Sequence, residues 1–569
     1  RLGHLLGLVA APPGDREELF GAWRRYVERI ADRGPTVLVF EDLHWADPGL
    51  LDFIESLLEW SRTSPVLVVA LARPELAERR PSWGTALRNV TGLHLDPLPD
   101  PAVAQLVTGY VHGLPDDGLA RLVQRAEGVP LYAVETVRML ADRGVLEQSG
   151  EVYRVVADLS GQLEIPETLH ALVAARLDGL PDEDRALLQD AAVVGQHFTV
   201  AGLAAVSGRT VDELEPRLRV LTRKELLAQD VDPRSPERGQ YGFVQAVIRE
   251  VAYSTLSKPV RRAKHLAAAR YYESLDDIEL CGIVASHFLE AYRAEPGASG
   301  AEDVATQARV WLACAAERAQ SLGAPEQALS YAEQALPLAA DVADRAEILR
   351  LAALAALFSG DMDRSVVLAR DAVAALRSAG DADGLGRFVA VAVRGLASSR
   401  SVDVADMLGA AEEVMADRRG PAAAMVAAVI ADHASSAARR DRAMLWSEKA
   451  MQLAEETGDF EALRAAASSR SWSLFNSGRH WEAVLLARGV VELAERSGST
   501  YELGRAQMGL GVVLGEDDPH GSMQAFLDAA ETATQAGVRP LRWMNLANAA
   551  EAAADVGAWD VADRALAET

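Results

Sequence analysis

Val37-Leu38-Val39-Phe40-Glu41-Asp42-Leu43-His44-Trp45-Ala46-Asp47 opens with four apolar residues in a row, two of them β-branched. Gly34-Pro35, just before it, ends an amphipathic helical pattern over 16–32 in which Leu19, Phe20, Trp23, Val27 and Ile30 share a face. A short run with no polar alternation predicts a strand buried on both faces of a parallel sheet. A helix is expected from Pro48 to Ser61, then a second buried strand over Val66-Leu67-Val68-Val69-Ala70-Leu71, which together make a βαβ unit. Ligands of open α/β sheets bind outside the carboxyl ends of the strands, where Glu41 and Asp42 stand. A phosphate–Mg²⁺ site needs hard oxygen ligands there and an acid that orients the attacking water. A strand ending in acids is moderately specific by itself. The extension Leu43-His44-Trp45-Ala46-Asp47 makes it much more so, with His44 and Trp45 expected to cap and pack the strand end.

Size and composition bound the rest. The 569 residues suffice for three or four domains, and 49% of them are apolar. No run of about eighteen apolar residues occurs, so no membrane span is expected. The start, Arg1-Leu2-Gly3-His4, carries neither Met nor a secretory pattern, and the expectation is a segment cut from a longer chain. Cys281 and Cys314 are too few for a disulfide framework or a multi-cysteine zinc site, which fits a cytoplasmic location. A net charge of −26 disfavours nucleic acid and anionic lipid as partners. Lysine is confined to Lys224, Lys258, Lys264 and Lys449.

Downstream, 99–147 reads as several short helices with turns at Leu114-Pro115 and Gly128-Val129-Pro130, and 165–228 as a compact helical module. A turn-rich 231–240 and a short strand at Tyr241-Gly242-Phe243-Val244 complete the outline of a winged helix. From about 305 the chain is Ala-rich and periodic. Gly323 leads to Ala328 and Ala335, Gly360 to Ser365 and Ala372, Gly478 to Ala483 and Val490, and Gly557 to Ala562, with weaker members at Ala405, Ala443 and Ala525. A period of about 40 predicts an α-solenoid of helix pairs, since one pair cannot bury its apolar face alone.

The segment VLVFEDLHWADPGLLDFIE resembles the Walker B region of the STAND class of signalling ATPases. More narrowly, it is similar to the ATPase modules joined to class III adenylate/guanylate cyclases and to LuxR-type regulators. The resemblance continues, in order, through ALARPEL (70–76), AEGVPLYAVETVRML (126–140), IPETLHALVAARLDGLP (165–181) and YGFVQAVIREVAYSTL (241–256). It implies ATP and Mg²⁺ as cofactors in the full-length parent. Glu41 would take the Mg²⁺-associated position and Asp42 the water-orienting one, both near the metal. Arg73 would sense the γ-phosphate, and Pro130 of Gly128-Val129-Pro130 would line the adenine pocket. Two departures stand out. Val129 replaces a common Asn, and Phe243-Val244-Gln245-Ala246-Val247 replaces a pattern with Arg and His, which leaves a state-sensing contact there in doubt.

A phosphate-binding loop, G-x-x-x-x-G-K-[ST], is missing from the sequence, because the first lysine is Lys224. The resemblance places that loop before Arg1, so ATPase activity is expected of the parent and not of this segment. The fold expected is mainly α. Its parts are an ATPase-core remainder (1–98), a helical lid (99–160), a winged-helix-like domain (161–260), a helical connector (261–304) and a tetratricopeptide-like solenoid (305–569). The function expected is an ATP-switched regulatory module for an output domain, a cyclase first and a LuxR-type DNA-binding domain second, with a non-catalytic repeat scaffold as the third reading. The repeats would take a protein or a small-molecule inducer, and a homo-oligomer is a further partner expectation. Arg217, Arg219, Arg223 and Lys224 lie among Glu213, Glu215 and Glu225, which argues against DNA binding by this segment.

Overall fold

The computed structural model describes residues 16–61, 64–84, 89–150, 152–156, 166–230, 239–322, 324–396, 403–515, 517–536 and 539–568. Residues 1–15, Ile165, Gly323 and most of the turn-rich stretch 231–240 lie outside them. The chain divides into two compact units, Arg1–Val90 with Leu312–Thr569, and Thr91–Trp311.

In the first unit, helix Arg16–Ala31 precedes β1 (Thr36–Phe40), then come helix Pro48–Trp60 and β2 (Val66–Ala70). The strands pair in parallel, with Val37 opposite Leu67 and Val39 opposite Val69. Asp47 begins the helix between them, its side chain accepting from Leu50 N at 2.9 Å, and Pro48 at the first helical position needs no hydrogen bond. One face of the sheet is covered. Phe40 and Val68 pack on Leu43, Leu51, Ile54 and Leu76. The other face corrects the expectation of burial on both sides. Val37, Val39 and Leu67 are 57%, 56% and 59% exposed, because among the described residues only two strands form this sheet and a helix covers one side.

The remainder of this unit is a run of helix pairs from Pro325 to Glu568. Consecutive helices pack side by side. Gly360, Gly478 and Gly557 end the first helix of a pair in the left-handed region, at φ 84°, 78° and 73°, where a side chain would be strained. The second helix opens three residues before a small anchor. Ala328, Ser365, Ala443, Ala483 and Ala562 are all buried. The same holds four and seven residues on, as at Ala332 and Ala335, Ala369 and Ala372, and Ala487 and Val490, so one stripe of each helix meets its partner. Ser365 Oγ donates to Ala353 O at 3.2 Å and Ser471 Oγ to Ala483 O at 2.8 Å across the pairs. Two weaker anchors shift. Ala405 is exposed, and Val404, Leu408, Ala411 and Met415 form the buried stripe. In helix Pro519–Ala536 the equivalent residue is Ser522, whose Oγ donates to Gly511 O at 2.8 Å.

The second unit holds two cores. In the first, helices Asp100–Tyr110, Asp116–Ala126 and Pro130–Asp142 surround Val103, Val107, Leu122, Tyr132, Val137 and Leu140. Beside them, β3 (Val111–His112), β5 (Val152–Val155) and β4 (Leu146–Ser149) form a sheet in that order, which the purely helical reading of 99–160 did not contain. In the second core, helices Asp182–Val194, Val200–Ser207 and Val211–Arg223 alternate with β6 (His197–Phe198), β7 (Leu227–Gln229) and β8 (Tyr241–Phe243). This antiparallel sheet has the order β6-β8-β7. Phe198, Leu203, Leu214, Leu218, Leu221 and Phe243 fill it. No helix among the described residues is long and apolar enough to cross a membrane.

Candidate functional site

β1 delivers Glu41 and Asp42 at its carboxyl end, and the backbone continues to β2 there: Leu71 N donates to Phe40 O at 2.8 Å and Leu43 N to Leu71 O at 3.0 Å. Both acids are exposed. Asp42 sits in the left-handed region, at φ 54° and ψ 33°. A non-glycine residue held there is uncommon, and such strain collects at functional sites. The left-handed residue turns the chain sharply into the Leu43–Trp45 turn, so the two carboxylates stand at the strand end. Arg73 lies two residues past Leu71, beyond the end of β2, and is exposed. The structure therefore gathers Glu41, Asp42 and Arg73 at one end of the sheet.

The turn itself is fastened from the ARPELAERRPSWG side. Arg79 donates to His44 O at 2.8 Å and to Ala46 O at 3.0 Å. Arg80 pairs with Asp52 at 2.6 Å, and Trp83 Nε1 donates to Leu51 O at 3.1 Å. His44 is buried, with neither ring nitrogen partnered among the described residues. Trp45 corrects the expectation that it packs the strand end: it is 71% exposed, with its ring 5.2 Å from that of His44 between centroids.

Hard carboxylate oxygens at a strand end fit a magnesium ion held partly through water. Among the described residues no group of three or more His, Cys, Asp or Glu that could hold a metal ion occurs, so the protein offers the two strand-end carboxylates alone, and none of the described residues supplies a glycine-rich phosphate cradle with a lysine.

Gly128, Val129 and Pro130 belong to the other unit. Gly128, at φ 77°, sits so close to the preceding strand of chain that an added Cβ would lie 2.6 Å from Leu98 O and 2.7 Å from Pro97 Cβ. Its carbonyl accepts from Leu98 N at 2.8 Å. Only glycine fits. Pro130 opens helix Pro130–Asp142 at its first position.

That helix carries a cluster which the sequence did not reveal. Glu135 is fully buried, and Arg176, 4% exposed, pairs with it. Arg176 also reaches Asp142 at 3.0 Å and Lys224 O at 2.9 Å. Arg138 and Gln245 donate to the other Glu135 oxygen at 2.6 and 3.1 Å. Three separate segments thus meet at one carboxylate. Gln245, with Val244, departs from the resembled pattern, and that departure is the available signal.

Comparison with known proteins adds little resolution. No family model matches the chain. An uncharacterized protein of Rhizobium meliloti is 27% identical over 371 residues, 61% of this chain. The chain spans 32% of that relative's length. Among solved structures, a signal transduction ATPase with numerous domains and a tetratricopeptide repeat sensor, from Pyrococcus horikoshii, aligns over 97% of this chain and 84% of its own. Its identity is 14% and its TM-score 0.36. The apo quorum sensor NprR of B. thuringiensis covers 62% of this chain and 97% of its own at 11% identity and TM-score 0.38. Yeast Tom70 covers 96% and 99% at 12% and 0.32. TM-scores this low carry no argument about function.

Proposed function

We propose that this chain is the acidic half of the ATP site, with the lid and sensor, of a STAND-type regulatory ATPase. The observation that carries the reading is the Glu41-Asp42 pair at the carboxyl end of a parallel strand, with Asp42 locked in a left-handed turn. When bound, Mg²⁺·ATP would supply the phosphate to be cleaved and the charge that polarises it. Glu41 would hold a metal-bound water, and Asp42 would accept a proton from the attacking water. Arg73, whose planar fork matches a phosphate, would read the terminal phosphoryl group.

The second unit supports a lid and a relay. The order helix, strand, helix, helix, strand, strand over 182–243 agrees with a winged helix, and the Glu135–Arg176 pair ties it to the helix that begins at Pro130. The resemblance would give Pro130 the adenine contact. The helix pairs would take the inducer, a protein or a small molecule. The output is a class III nucleotide cyclase, on the likeness of VLVFEDLHWADPGLLDFIE and ARPELAERRPSWG to cyclase-linked modules. The exposed apolar face of β1 and β2 agrees with a larger sheet in the parent protein.

The test is nucleotide binding and hydrolysis by the parent protein containing a phosphate-binding loop, beside this segment. Binding by the parent and none by the segment is the expected result. A parent that binds no ATP overturns the switch.

A further inference from the structure

The first helices of successive pairs, Ala382–Leu396, Pro421–Ser436, Phe460–Asn476 and Thr500–Leu514, together with the second helix His480–Ser497, line an open cavity of about 370 Å³. That is within the roughly 300–1,000 Å³ of small-ligand sites. Arg464, Ser468 and Trp472 enter it at helical spacing from one helix, and Glu502, Arg505, Gly509 and Val512 from the next. Ala465, Val490, Val512 and Val513 make an apolar floor.

The charge of this groove runs against that of the molecule. The chain has 83 acidic and 57 basic residues, yet three guanidiniums, Arg394, Arg464 and Arg505, face two carboxylates, Asp432 and Glu502. Arg464 is taken by Glu502 at 2.6 Å. Arg394 stands a loose 3.9 Å from Asp432, and Arg505, which lines the groove, lies over the Tyr501 ring at 6.0 Å and also interacts with Glu502 and Asp432. Asp432, whose side chain is 37% exposed, lies beside both Arg394 and Arg505 and offsets part of their charge, which leaves the three guanidiniums one charge in excess of the two carboxylates. Trp472, 37% exposed at the rim, offers a flat apolar wall.

We propose that this groove binds a monocarboxylate with an apolar body, its carboxylate held by Arg394 and Arg505 and its body laid over Val490, Val512 and Trp472. A free carboxylate meets a guanidinium through two parallel hydrogen bonds, which an amide cannot reproduce. The ligand is either a short peptide ending in an apolar residue or a small organic acid, the chemistry being shared. The proposal rests on the sensor half of the function proposed above. It involves no nucleotide, so a parent that fails to bind ATP leaves it standing, and a groove that fails to bind carboxylate leaves the ATP site standing.

The test is calorimetric titration of this chain, in the absence of nucleotide, with four probes: N-acetyl-Leu-Leu-Phe, its carboxamide, phenylbutyrate and phenylbutyramide. At least one acid should bind with submillimolar Kd, and its amide about tenfold or more weaker, as loss of a charged bidentate contact requires. Binding of the peptide acid alone assigns a peptide; binding of phenylbutyrate alone assigns a small acid. Arg505→Gln should weaken the acid by about tenfold. Gly509 sits mid-helix with nothing within 4 Å of where its Cβ would be, so Gly509→Leu fills the cavity while keeping the helix, and should abolish binding at unchanged thermal stability. Equal binding of acid and amide, no binding of either acid, or full binding by Gly509→Leu overturns the proposal.

Discussion

Gln245 donates to Glu135 Oε1 at 3.1 Å from 110 positions away, and the consequences of that carboxylate can be measured. Glu135 has no exposure and Arg176 only 4%. Glu135→Gln removes the charge that offsets the Arg176 guanidinium. Asp142, at 3.0 Å, is the one carboxylate left against it. Breaking a buried pair from one side costs about 3 kcal/mol, and urea unfolding should show that loss; a shift below about 1 kcal/mol would remove the pair from its structural role. A second residue-scale prediction concerns His265 and His287, which share a 2.9 Å hydrogen bond between their Nδ1 atoms, with Tyr253 on His265 at 2.9 Å. Burial first, then neighbouring charge, holds them neutral, lowering His265 from 6.5 to about 4 and His287 to about 3. The unfolded chain therefore takes up protons first as pH falls below 6.5. Stability is full at neutral pH and is lost progressively as pH falls from the unfolded value towards the folded ones. Urea midpoints between neutral pH and pH 4 should fall less steeply in His265→Phe/His287→Leu than in the parent; parallel slopes would rule the pair out. Neither cluster was legible in the sequence. A histidine or a glutamate on a helix gives no sign of its partner when that partner lies in another segment.

Helices and strands were far more legible, because their signals are local. The apolar runs at Val37 and Val66 and the Asp47-Pro48 start need only neighbours to be read, and β1, helix Pro48–Trp60 and β2 fall within a residue or so of expectation. Repeat anchors were legible where a glycine at a left-handed turn fixes the register, as at Gly360, Gly478 and Gly557. Where that glycine is missing, several small residues compete: Ala405 is exposed beside the buried Val404, and Ala525 and Ser522 are both buried, with Ser522 making the cross-pair hydrogen bond. What fixes the true anchor is close approach of two helices. Ala483 has no exposure, and its carbonyl accepts from Ser471 at 2.8 Å. Ala483→Leu must separate the pair. Overpacking of this kind costs about 2 kcal/mol, and a lowered melting temperature should follow, while Ala405→Leu on the exposed side should leave it nearly unchanged. Equal effects would contradict the corrected register.

At the scale of the molecule, the two parallel strands, the helical repeats and the candidate acids Glu41 and Asp42 were legible in the sequence. The groove was illegible. Its arginines come from helices one to three repeats apart, and each alone reads as a solvated charge. The resemblance supplied roles for Glu41, Asp42, Arg73 and Pro130; the structure supplied the left-handed turn at Asp42 and the gathering of the first three at one strand end. The central claim is that Asp42 accepts the proton of the attacking water. ATP turnover and nucleotide affinity of the parent protein, compared with its Asp42→Asn variant, test it most directly, since asparagine tolerates the same backbone. Turnover should fall by about a hundredfold or more, the usual contribution of a positioned general base, with nucleotide affinity largely kept. Unchanged turnover in Asp42→Asn would contradict the account.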